Sequence, residues 1–313
     1  MSAVAHSPAS LSVGRFSLDV VLDTPFRLDG GAMFGVVPKV LWERQKPADA
    51  RNRIAMATNC LLVRGAGVVA LVDAGIGEKL DERGREQFDV PAGEPRLLDR
   101  LAACGVAPDD VTHVLLTHLH FDHCGWSTRR DGEAWTPTFP RARYHVEAGE
   151  LAHARRPNER DRPSYDGRNF EPLVEAGVLE TFECAAEPIP GVRLVKAGGH
   201  SPGMCVVEIL DGDEGALFLA DLVPTAAHLP TPWVMGYDLE PVTTMEQKPG
   251  WVARAGENGW LCVFEHDPDV PVARLVAGDR PGRWRAESAI KNPVLDVGAG
   301  LVPARLGGVS HGN

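Results

Sequence analysis

Short apolar runs bounded by Gly, Pro or Asp recur along the chain, and they predict β-strands more often than long helices. Residues 16–22 alternate weakly between apolar and polar positions, as in a strand with one buried face. Residues 54–63 and 68–73 predict two strands joined by a Gly-Ala-Gly turn. A second hairpin is predicted for residues 204–210 and 216–220, around a turn rich in Asp and Gly.

Helical patterns are fewer and occur in four places, residues 96–104, 147–156, 170–176 and 242–255. Pro249 is expected to kink or interrupt the last of these helices. The glycine-rich residues 29–35 predict a loop. Residues 155–168 are polar and contain two prolines, which predicts a mobile excursion or lid. The order of hairpins and helices favours an α/β (α+β) fold with two packed sheets over a single parallel sheet. We expect one domain over residues 1–313, with 1–12 and about 304–313 flexible.

Composition and charge narrow the class of protein. The 313 residues are 44% hydrophobic and 24% charged, as in an ordinary globular domain. A net charge of -11 argues against general affinity for nucleic acid or for an anionic membrane. There is no apolar run long enough to span a bilayer and no signal-peptide pattern at the N-terminus. Six scattered cysteines without a C-x-x-C pair favour reduced thiols, and we therefore expect a cytoplasmic protein.

Four metal-ligand side chains lie close together in residues 118–123, sequence HLHFDH, directly after a strand-like apolar run. Successive side chains of an extended segment point to opposite sides, so His118 and His120 can converge on one ion. Asp122 and His123 lie where the chain turns and can reach a second ion. Imidazole and carboxylate ligands suit zinc, and also iron, cobalt or manganese. The alternative to a metal site is a surface loop that happens to be rich in His.

Three later side chains occupy similar places at the ends of predicted strands. His200 lies at the tip of a Gly-rich turn, residues 198–203. Asp221 follows a predicted strand directly, where it is either a loop cap or a metal ligand. His266 follows the short apolar strand 260–264. Strand ends therefore supply seven candidate ligands from four parts of the chain.

Three further residues carry an open interpretation. Asp73 ends a predicted strand and is either a hydrogen-bond partner of a metal-binding histidine or a strand-end cap. Cys124 directly follows His123, where packing is favoured over a ligand or reactive role. His113 lies within the strand that precedes the metal motif and is expected to be structural.

With these residues, the chain resembles the metallo-β-lactamase fold superfamily over roughly residues 16–266. The resemblance implies a four-layer αβ/βα sandwich, in which two mixed β-sheets are flanked by helices and the metal site lies along one edge. It also implies two divalent metal ions, zinc before iron, cobalt or manganese. The ligands implied are His118, His120 and His200 for the first ion, Asp122, His123 and His266 for the second, and Asp221 as a bridge between them.

Within the superfamily, there are β-lactamases that have Cys at the position of Asp221, and flavodiiron oxidoreductases have Glu at the position of His120. This chain differs from both classes at those positions. Residues 30–39, sequence GGAMFGVVPK, are similar to YtnP-type quorum-quenching N-acyl homoserine lactone lactonases and to methyl parathion hydrolase. The better known lactonases have a substrate-binding Tyr three residues after the bridging Asp, where this chain has Pro224. Three side chains are candidates to replace it, Thr225, His228 and Tyr237.

The activity implied by the resemblance is hydrolysis, with a metal-bridging hydroxide attacking the carbonyl of an N-acyl homoserine lactone or a related lactone. Asp122 and Asp221 are the implied catalytic residues, Asp122 as the proton shuttle to the leaving oxygen. A phosphotriesterase or arylesterase of the methyl parathion hydrolase type is the alternative, and a non-catalytic binding protein of the same fold is a third reading. The candidate substrate pocket, with core packing as the alternative for each member, consists of Met33, Phe34, Trp42, Phe121, Trp126 and His228. The expected partner is a small-molecule ester or lactone, and a homodimer is left open.

Overall fold

The computed structural model describes residues 11–93 and 96–290. Residues 304–313 and most of 1–12, which the sequence predicts to be flexible, lie outside the described residues. Leu11 and Ser12 are the exception, because they belong to an edge strand paired with the next strand of the chain. None of the helices in the described ranges has the length and apolar character needed to cross a membrane.

The first sheet has seven strands in spatial order β1-β2-β3-β4-β5-β8-β9. Their bounds are β1 Leu11–Val13, β2 Phe16–Asp29, β3 Arg53–Gly65, β4 Val68–Val72, β5 His113–Leu115, β8 Arg143–Glu147 and β9 Leu179–Phe182. Strands β1 to β4 are antiparallel, whereas β4, β5, β8 and β9 run parallel to one another. The carboxyl ends of the parallel strands therefore meet at one edge, and the chain leaves β5 for the histidine motif at that edge.

The second sheet also has seven strands, ordered as in the sequence from β10 to β16. Their bounds are β10 Ala185–Ile189, β11 Val192–Lys196, β12 Cys205–Asp211, β13 Glu214–Phe218, β14 Leu261–Val263, β15 Val272–Ala277 and β16 Trp284–Ser288. Only β13 and β14 are paired in parallel. A separate hairpin is formed by β6 Thr128–Asp131 and β7 Ala134–Pro137.

Eight α-helices accompany the sheets within the described residues. They are α1 Gly30–Phe34, α2 Lys39–Trp42, α3 Glu82–Phe88, α4 Leu97–Ala103, α5 Phe121–Cys124, α6 Ala148–Ala154, α7 Glu171–Glu175 and α8 Pro241–Glu257. Leucines of α4, α6 and α7 pack with the residues of β5 that point away from the second sheet, whereas α8 packs against the second sheet. The sandwich of two mixed sheets covered by helices, which the resemblance implies, is confirmed.

The core between the sheets follows from the period-two pattern of the strands. Val63 of β3 and Leu115 of β5 lie in one buried cluster with Leu194 of β11 and Phe218 of β13. Val114, next to Leu115, instead joins the cluster beneath the helices. Both faces of β5 are therefore covered, which explains why Val114, Leu115 and Leu116 follow one another without a polar residue between them.

One local prediction was wrong, and one of two predicted alternatives was excluded. The glycine-rich segment 29–35 is not a plain loop, because Asp29 accepts a hydrogen bond from Ala32 N at 2.8 Å and caps the short helix α1. Helix α8 continues through Pro249 from Pro241 to Glu257 without interruption. The segment 155–168 contains a 3₁₀ turn at Arg162–Ser164 and ends at the beginning of another at Gly167–Asn169.

Candidate metal centre

Both sheets deliver side chains to one buried site. His118 follows β5, and the first turn of α5 carries Asp122 and His123. His200 lies in the turn between β11 and β12, Asp221 in the 3₁₀ turn after β13, and His266 after β14. All seven predicted ligands, including His120, are buried. The structure thus brings together the residues that the sequence singles out at four separate strand ends.

Three imidazoles and a carboxylate form the first group. His120 Nδ1 lies 3.1 Å from His118 Nε2 and 3.0 Å from His200 Nε2. Asp221 Oδ2 lies 3.0 Å from His200 Nε2. One ligand atom from each of these four residues lies within 4.8 Å of the others. Four nitrogen and oxygen atoms therefore surround one small space.

Asp122, His123 and His266 form the second group. The Nε2 atoms of His123 and His266 are 3.1 Å apart, and each lies 3.8 Å from an oxygen of Asp122. Asp221 also reaches this group, since its Oδ1 lies 3.1 Å from His266 Nε2 and its Oδ2 lies 3.6 Å from His123 Nε2. The Asp221 carboxylate thus stands between the two groups and directs an oxygen at each.

Four of the five histidines turn Nδ1 away from the centre towards a hydrogen-bond acceptor. His200 Nδ1 donates to Asp238 Oδ1 at 3.0 Å, and His266 Nδ1 donates to the Ala57 carbonyl at 2.8 Å. His118 Nδ1 donates to the Thr117 hydroxyl at 3.1 Å. In the neutral ring, these contacts fix the tautomer that leaves the Nε2 lone pair facing the centre.

Asp73 combines both roles that the sequence leaves open. Its Oδ1 accepts the Thr117 backbone N–H at 2.7 Å, as a strand-end cap does. Its Oδ2 accepts from the Thr117 hydroxyl at 2.6 Å and from His123 Nδ1 at 3.0 Å. The same carboxylate therefore holds the turn after β5 and orients a candidate ligand.

The electrostatic environment of the centre favours positive charge between its ligands. Burial, together with neighbouring histidines, lowers the pKa of His118 and His120 well below the usual value, so both rings are neutral at pH 7. Against the effect of burial, the nearby histidines His200, His266 and His123 hold the pKa of Asp221 well below its usual range. Burial opposes a charge on His200, but Asp221 and Asp238 raise its pKa to about 10.

The donor set fits divalent metal ions. His120 Nδ1 faces two imidazole nitrogens at hydrogen-bond distance but can donate to one at most. Asp221 Oδ1 is buried and, within the described residues, accepts no hydrogen bond. Converging lone pairs without enough protons are costly in a buried site unless a cation lies between them. Imidazole nitrogen and carboxylate oxygen are ligands that zinc and several other divalent transition metals accept.

Cys124 takes no part in either group. Its side chain is fully buried, and its Sγ donates to the carbonyls of Leu119 and His120 at 3.3 and 3.2 Å. Burial raises the pKa of the Cys124 thiol, so it stays protonated. Packing is therefore its role in this structure, as the sequence favours.

A cavity of about 240 Å³ opens onto the centre and is lined by His120, Asp122, His200, Asp221 and His266. Its apolar wall includes Met33, Phe121 and Tyr237, and also Phe88, whose ring stacks on Phe121 with centroids 5.1 Å apart. Arg160, Asp161, Pro163 and Ser164 of the segment 155–168 form another part of the wall. A substrate would therefore meet an apolar surface beside the two ligand groups.

Four of the six predicted pocket residues do not line this cavity. Phe34 is fully buried between the rings of Trp42 and His228, with centroids 5.3 and 4.5 Å away. His228 Nε2 donates to the Met33 carbonyl at 2.9 Å. Trp126 is held in the core, because its Nε1 donates to the buried Asp23 carboxylate at 2.7 Å. Packing explains Phe34, Trp42, Trp126 and His228, whereas Met33 and Phe121 do line the cavity.

Among the three candidates to replace the absent Tyr, only Tyr237 lines the cavity. The Thr225 hydroxyl is buried and bonds to His228 Nδ1 at 2.8 Å. Burial, with Asp29 and Asp122 nearby, raises the pKa of Tyr237 to about 12, so its hydroxyl remains a proton donor at pH 7.

Two acidic partners of the centre are absent from the sequence-based predictions. Asp238 supports His200, and Glu265 Oε2 lies 2.8 Å from His123 Nδ1. Glu265 directly precedes His266, which was a usable signal. Nothing in the local pattern around Asp238 indicates its role, because its partner is 38 residues away in the chain.

One family model and several known proteins match this chain. Residues 53–272 match the family model of the Metallo-beta-lactamase superfamily. The N-acyl homoserine lactonase AiiB of Agrobacterium fabrum is 28% identical over 205 residues, which cover 60% of this chain and 71% of that protein. A probable metallo-hydrolase of Mycobacterium tuberculosis is 27% identical over 252 residues, covering 69% of this chain and 76% of that protein.

Solved structures share the fold. A probable metal-dependent hydrolase from Staphylococcus aureus superposes with a TM-score of 0.79 at 30% identity and covers 90% of this chain and all of that chain. AidC, a dizinc quorum-quenching lactonase in complex with a product, gives a TM-score of 0.72 at 21% identity, with 89% of this chain and 97% of that chain covered.

Proposed function

The chain belongs to the metallo-β-lactamase superfamily and is a hydrolytic enzyme, and from this premise we propose that it is a lactonase dependent on two divalent metal ions. One observation supports two ions above all. The Asp221 carboxylate directs Oδ2 at His200 at 3.0 Å and Oδ1 at His266 at 3.1 Å, so it reaches both ligand groups at once.

Each group supplies the ligands of one ion in this proposal. His118, His120 and His200 hold the first ion, Asp122, His123 and His266 hold the second, and Asp221 contacts both. When bound, such ions lower the pKa of a water molecule and polarise a substrate carbonyl. Zinc is the expected metal, with iron, cobalt or manganese as alternatives for the same ligands.

The residues of the cavity would orient the substrate and carry a proton from the attacking water to the leaving oxygen. Asp122 faces the cavity with a side chain that is 11% exposed, so its carboxylate is placed to accept the proton that the attacking water loses and to pass it to the leaving oxygen. The Tyr237 hydroxyl is placed to donate to the substrate carbonyl. Met33 and Phe121 provide an apolar surface for the acyl chain. The side of each ligand group that faces away from the cavity is buried in the protein, which keeps water out.

The substrate class is supported by the relatives and by the cavity wall. AiiB, whose name identifies it as an N-acyl homoserine lactonase, is 28% identical. An acyl homoserine lactone combines an apolar chain with a ring ester, which suits an apolar wall beside a polar centre. Quorum quenching would follow from hydrolysis of such signals.

An arylesterase or phosphotriesterase is the second candidate. Pro224 replaces the tyrosine of the better known lactonases, and the stacked pair of Phe88 and Phe121 in the wall suits an aryl leaving group. The same ligand groups would serve this reaction.

A substrate panel with metal analysis tests the proposal. Purified protein would be offered a long-chain acyl homoserine lactone, a simple γ-lactone, an aryl ester and paraoxon, while its metal content is measured. We expect about two transition-metal ions per chain and the highest kcat/KM for the acyl lactone. Rapid turnover of the aryl ester or of paraoxon without lactone turnover would reverse the order of the two candidates. Active protein without a transition metal would refute both.

A further inference from the structure

A buried carboxylate outside the two ligand groups connects the segments that carry them. Glu150 lies in the first turn of α6 and is fully buried. Its two carboxylate oxygens accept four hydrogen bonds from three separate parts of the chain. The donors are Leu119 N at 3.1 Å, the Tyr165 hydroxyl at 3.0 Å, the Ser201 hydroxyl at 2.6 Å and Gly203 N at 3.2 Å.

The Leu119 contact fixes the histidine motif. Leu119 stands between His118 and His120, and its side chain is fully buried beneath the helices. Because neighbouring side chains of an extended segment point to opposite sides, this burial turns both histidines towards the centre. The hydrogen bond to Glu150 Oε1 holds the backbone at that residue.

The contacts of Glu150 Oε2 fix the turn that presents His200. Ser201 follows His200 directly, and Gly203 lies two residues further on. A Cβ atom at Gly203 would stand 2.4 Å from Glu150 N and 2.5 Å from Glu150 Cβ. Only glycine permits this approach, so the backbone of the turn rests directly against the first turn of α6.

The Tyr165 contact connects the segment 155–168 to the same carboxylate. The Tyr165 ring packs edge-on against the His120 ring with centroids 4.7 Å apart, and the two residues form an isolated β-bridge. Its hydroxyl shares Glu150 Oε1 with Leu119 N. One carboxylate therefore restrains the surroundings of His120 and His200, which are 80 residues apart in the chain.

We infer that Glu150 is a positioning residue that sets the separation of His120 and His200, and through it the affinity of the first ligand group for its metal ion. The inference rests on the proposed metal site. Glu150 contacts neither substrate nor metal in this account, and it acts through the backbones on which the ligands stand. Outer partners of metal ligands typically change metal affinity by about 10–100-fold when they are removed, and Glu150 holds two ligand segments at once.

Zinc affinity tests the inference without any reliance on turnover. Each Glu150 variant is made in a His266→Ala background, in which only the first group is complete, and Zn²⁺ dissociation constants are measured by chelator competition. We expect Glu150→Ala to raise the Kd about 10–100-fold. Glu150→Gln keeps one acceptor oxygen and should raise the Kd less. In a His118→Ala background, where only the second group is complete, the same substitutions should change the Kd less than about threefold.

Glu147 provides the matched control. It is also a buried carboxylate at the start of α6, but it accepts Glu150 N at 3.0 Å and pairs with Lys196 at 3.2 Å. Glu147→Gln should leave the Kd of the first group within about threefold of the parent, whatever its effect on thermal unfolding.

The possible outcomes separate the inference from the proposed function. Glu150 variants with a Kd no higher than that of the Glu147 control overturn the inference; if Glu150→Ala does not fold, Glu150→Gln alone decides by this criterion. A parent protein that binds zinc but hydrolyses no ester refutes the proposed function, and the Kd comparison still decides the inference. A parent protein that binds no metal overturns both.

Discussion

The carboxylate of Asp238 accepts a hydrogen bond from His200 Nδ1 at 3.0 Å, and both side chains are buried. This contact fixes the His200 tautomer and leaves Nε2 facing Asp221 and His120. A ligand oriented in this way loses less freedom when it binds a metal ion. The affinity of the first ligand group should therefore depend on a residue that is not itself a ligand.

Asp238→Ala should weaken zinc binding by about 10–100-fold, because the His200 ring loses its acceptor. Asp238→Asn retains one acceptor oxygen and should cost less than about tenfold. Isothermal titration of metal-free protein with Zn²⁺ measures both effects. Asp213→Ala, which changes an exposed carboxylate of the β12–β13 turn, is the control and should leave the affinity unchanged. Equal affinities for all three variants would contradict the role given to Asp238.

Loss of a ligand should abolish hydrolysis without loss of the fold. His120→Ala removes a nitrogen from the first group, and Asp221→Asn removes the negative charge between the groups. Asp122→Asn should lower kcat by about 10²–10⁴-fold if Asp122 moves the proton of the leaving group. Steady-state kinetics on the best substrate, with circular dichroism as the check on folding, measures these effects. Full activity in His120→Ala or Asp221→Asn would refute the assigned site.

The Tyr237 hydroxyl should matter for turnover, because Tyr237 lines the cavity. Tyr237→Phe should lower kcat/KM roughly 10–100-fold through loss of one hydrogen bond to the substrate carbonyl in the transition state. Thr225→Val is the contrasting variant, since its hydroxyl is occupied by His228 and is closed off from the cavity. Thr225→Val should lower the free energy of unfolding and leave kcat/KM largely unchanged. The reverse pattern would assign the substrate contact to Thr225.

Trp126 should affect stability and leave catalysis largely unchanged. Trp126→Phe removes the indole N–H from the Asp23 carboxylate, which is fully buried and also accepts from Arg96. We expect a loss of about 1–3 kcal/mol in the free energy of unfolding. Denaturant unfolding measures this loss, and kcat/KM should stay within about twofold because Trp126 does not line the cavity. A large fall in kcat/KM with unchanged stability would restore the pocket interpretation.

The dependence of stability on pH should include a contribution from His145, which lies on β8 outside the metal centre. Burial lowers the pKa of His145 to about 4; Glu180 opposes this shift, whereas His113 and Arg143 add to it. In the unfolded chain the pKa of His is about 6.5. Between these values the unfolded chain binds more protons, so the contribution is fully present above pH 6.5 and is lost as pH falls towards 4.

His145→Leu isolates this contribution. From about pH 7.5 to about pH 5, the free energy of unfolding of the parent protein should fall by about 2 kcal/mol more than that of the variant. Denaturant unfolding of both proteins in the presence of a chelator measures the difference and keeps metal release out of the comparison. Parallel pH profiles would show that His145 does not titrate as its burial requires.

Much of the fold and of the candidate site could be predicted from local pattern. Residues 54–63 and 68–73 alternate or stay apolar over a strand's length, and β3 and β4 occupy almost these bounds. The ligand candidates could be identified because imidazole and carboxylate groups at strand ends are rare without a chemical reason. Helix α1 was missed because its cap depends on one hydrogen bond, from Ala32 N to the Asp29 side chain, in a sequence rich in glycine.

The sequence by itself determined which seven side chains are candidate metal ligands and that they follow predicted strands, because both properties depend on residue type and local periodicity. Only the tertiary structure decided which apolar side chains face the cavity. It places Trp126 on Asp23 and Phe34 between two other rings, while Phe88 comes to the cavity wall from a separate helix. It also decided which carboxylates support the ligands, since Asp238 and Glu150 meet His200 and its turn across 38 and 51 residues of chain. Such contacts arise from the packing of the two sheets and carry no local signal.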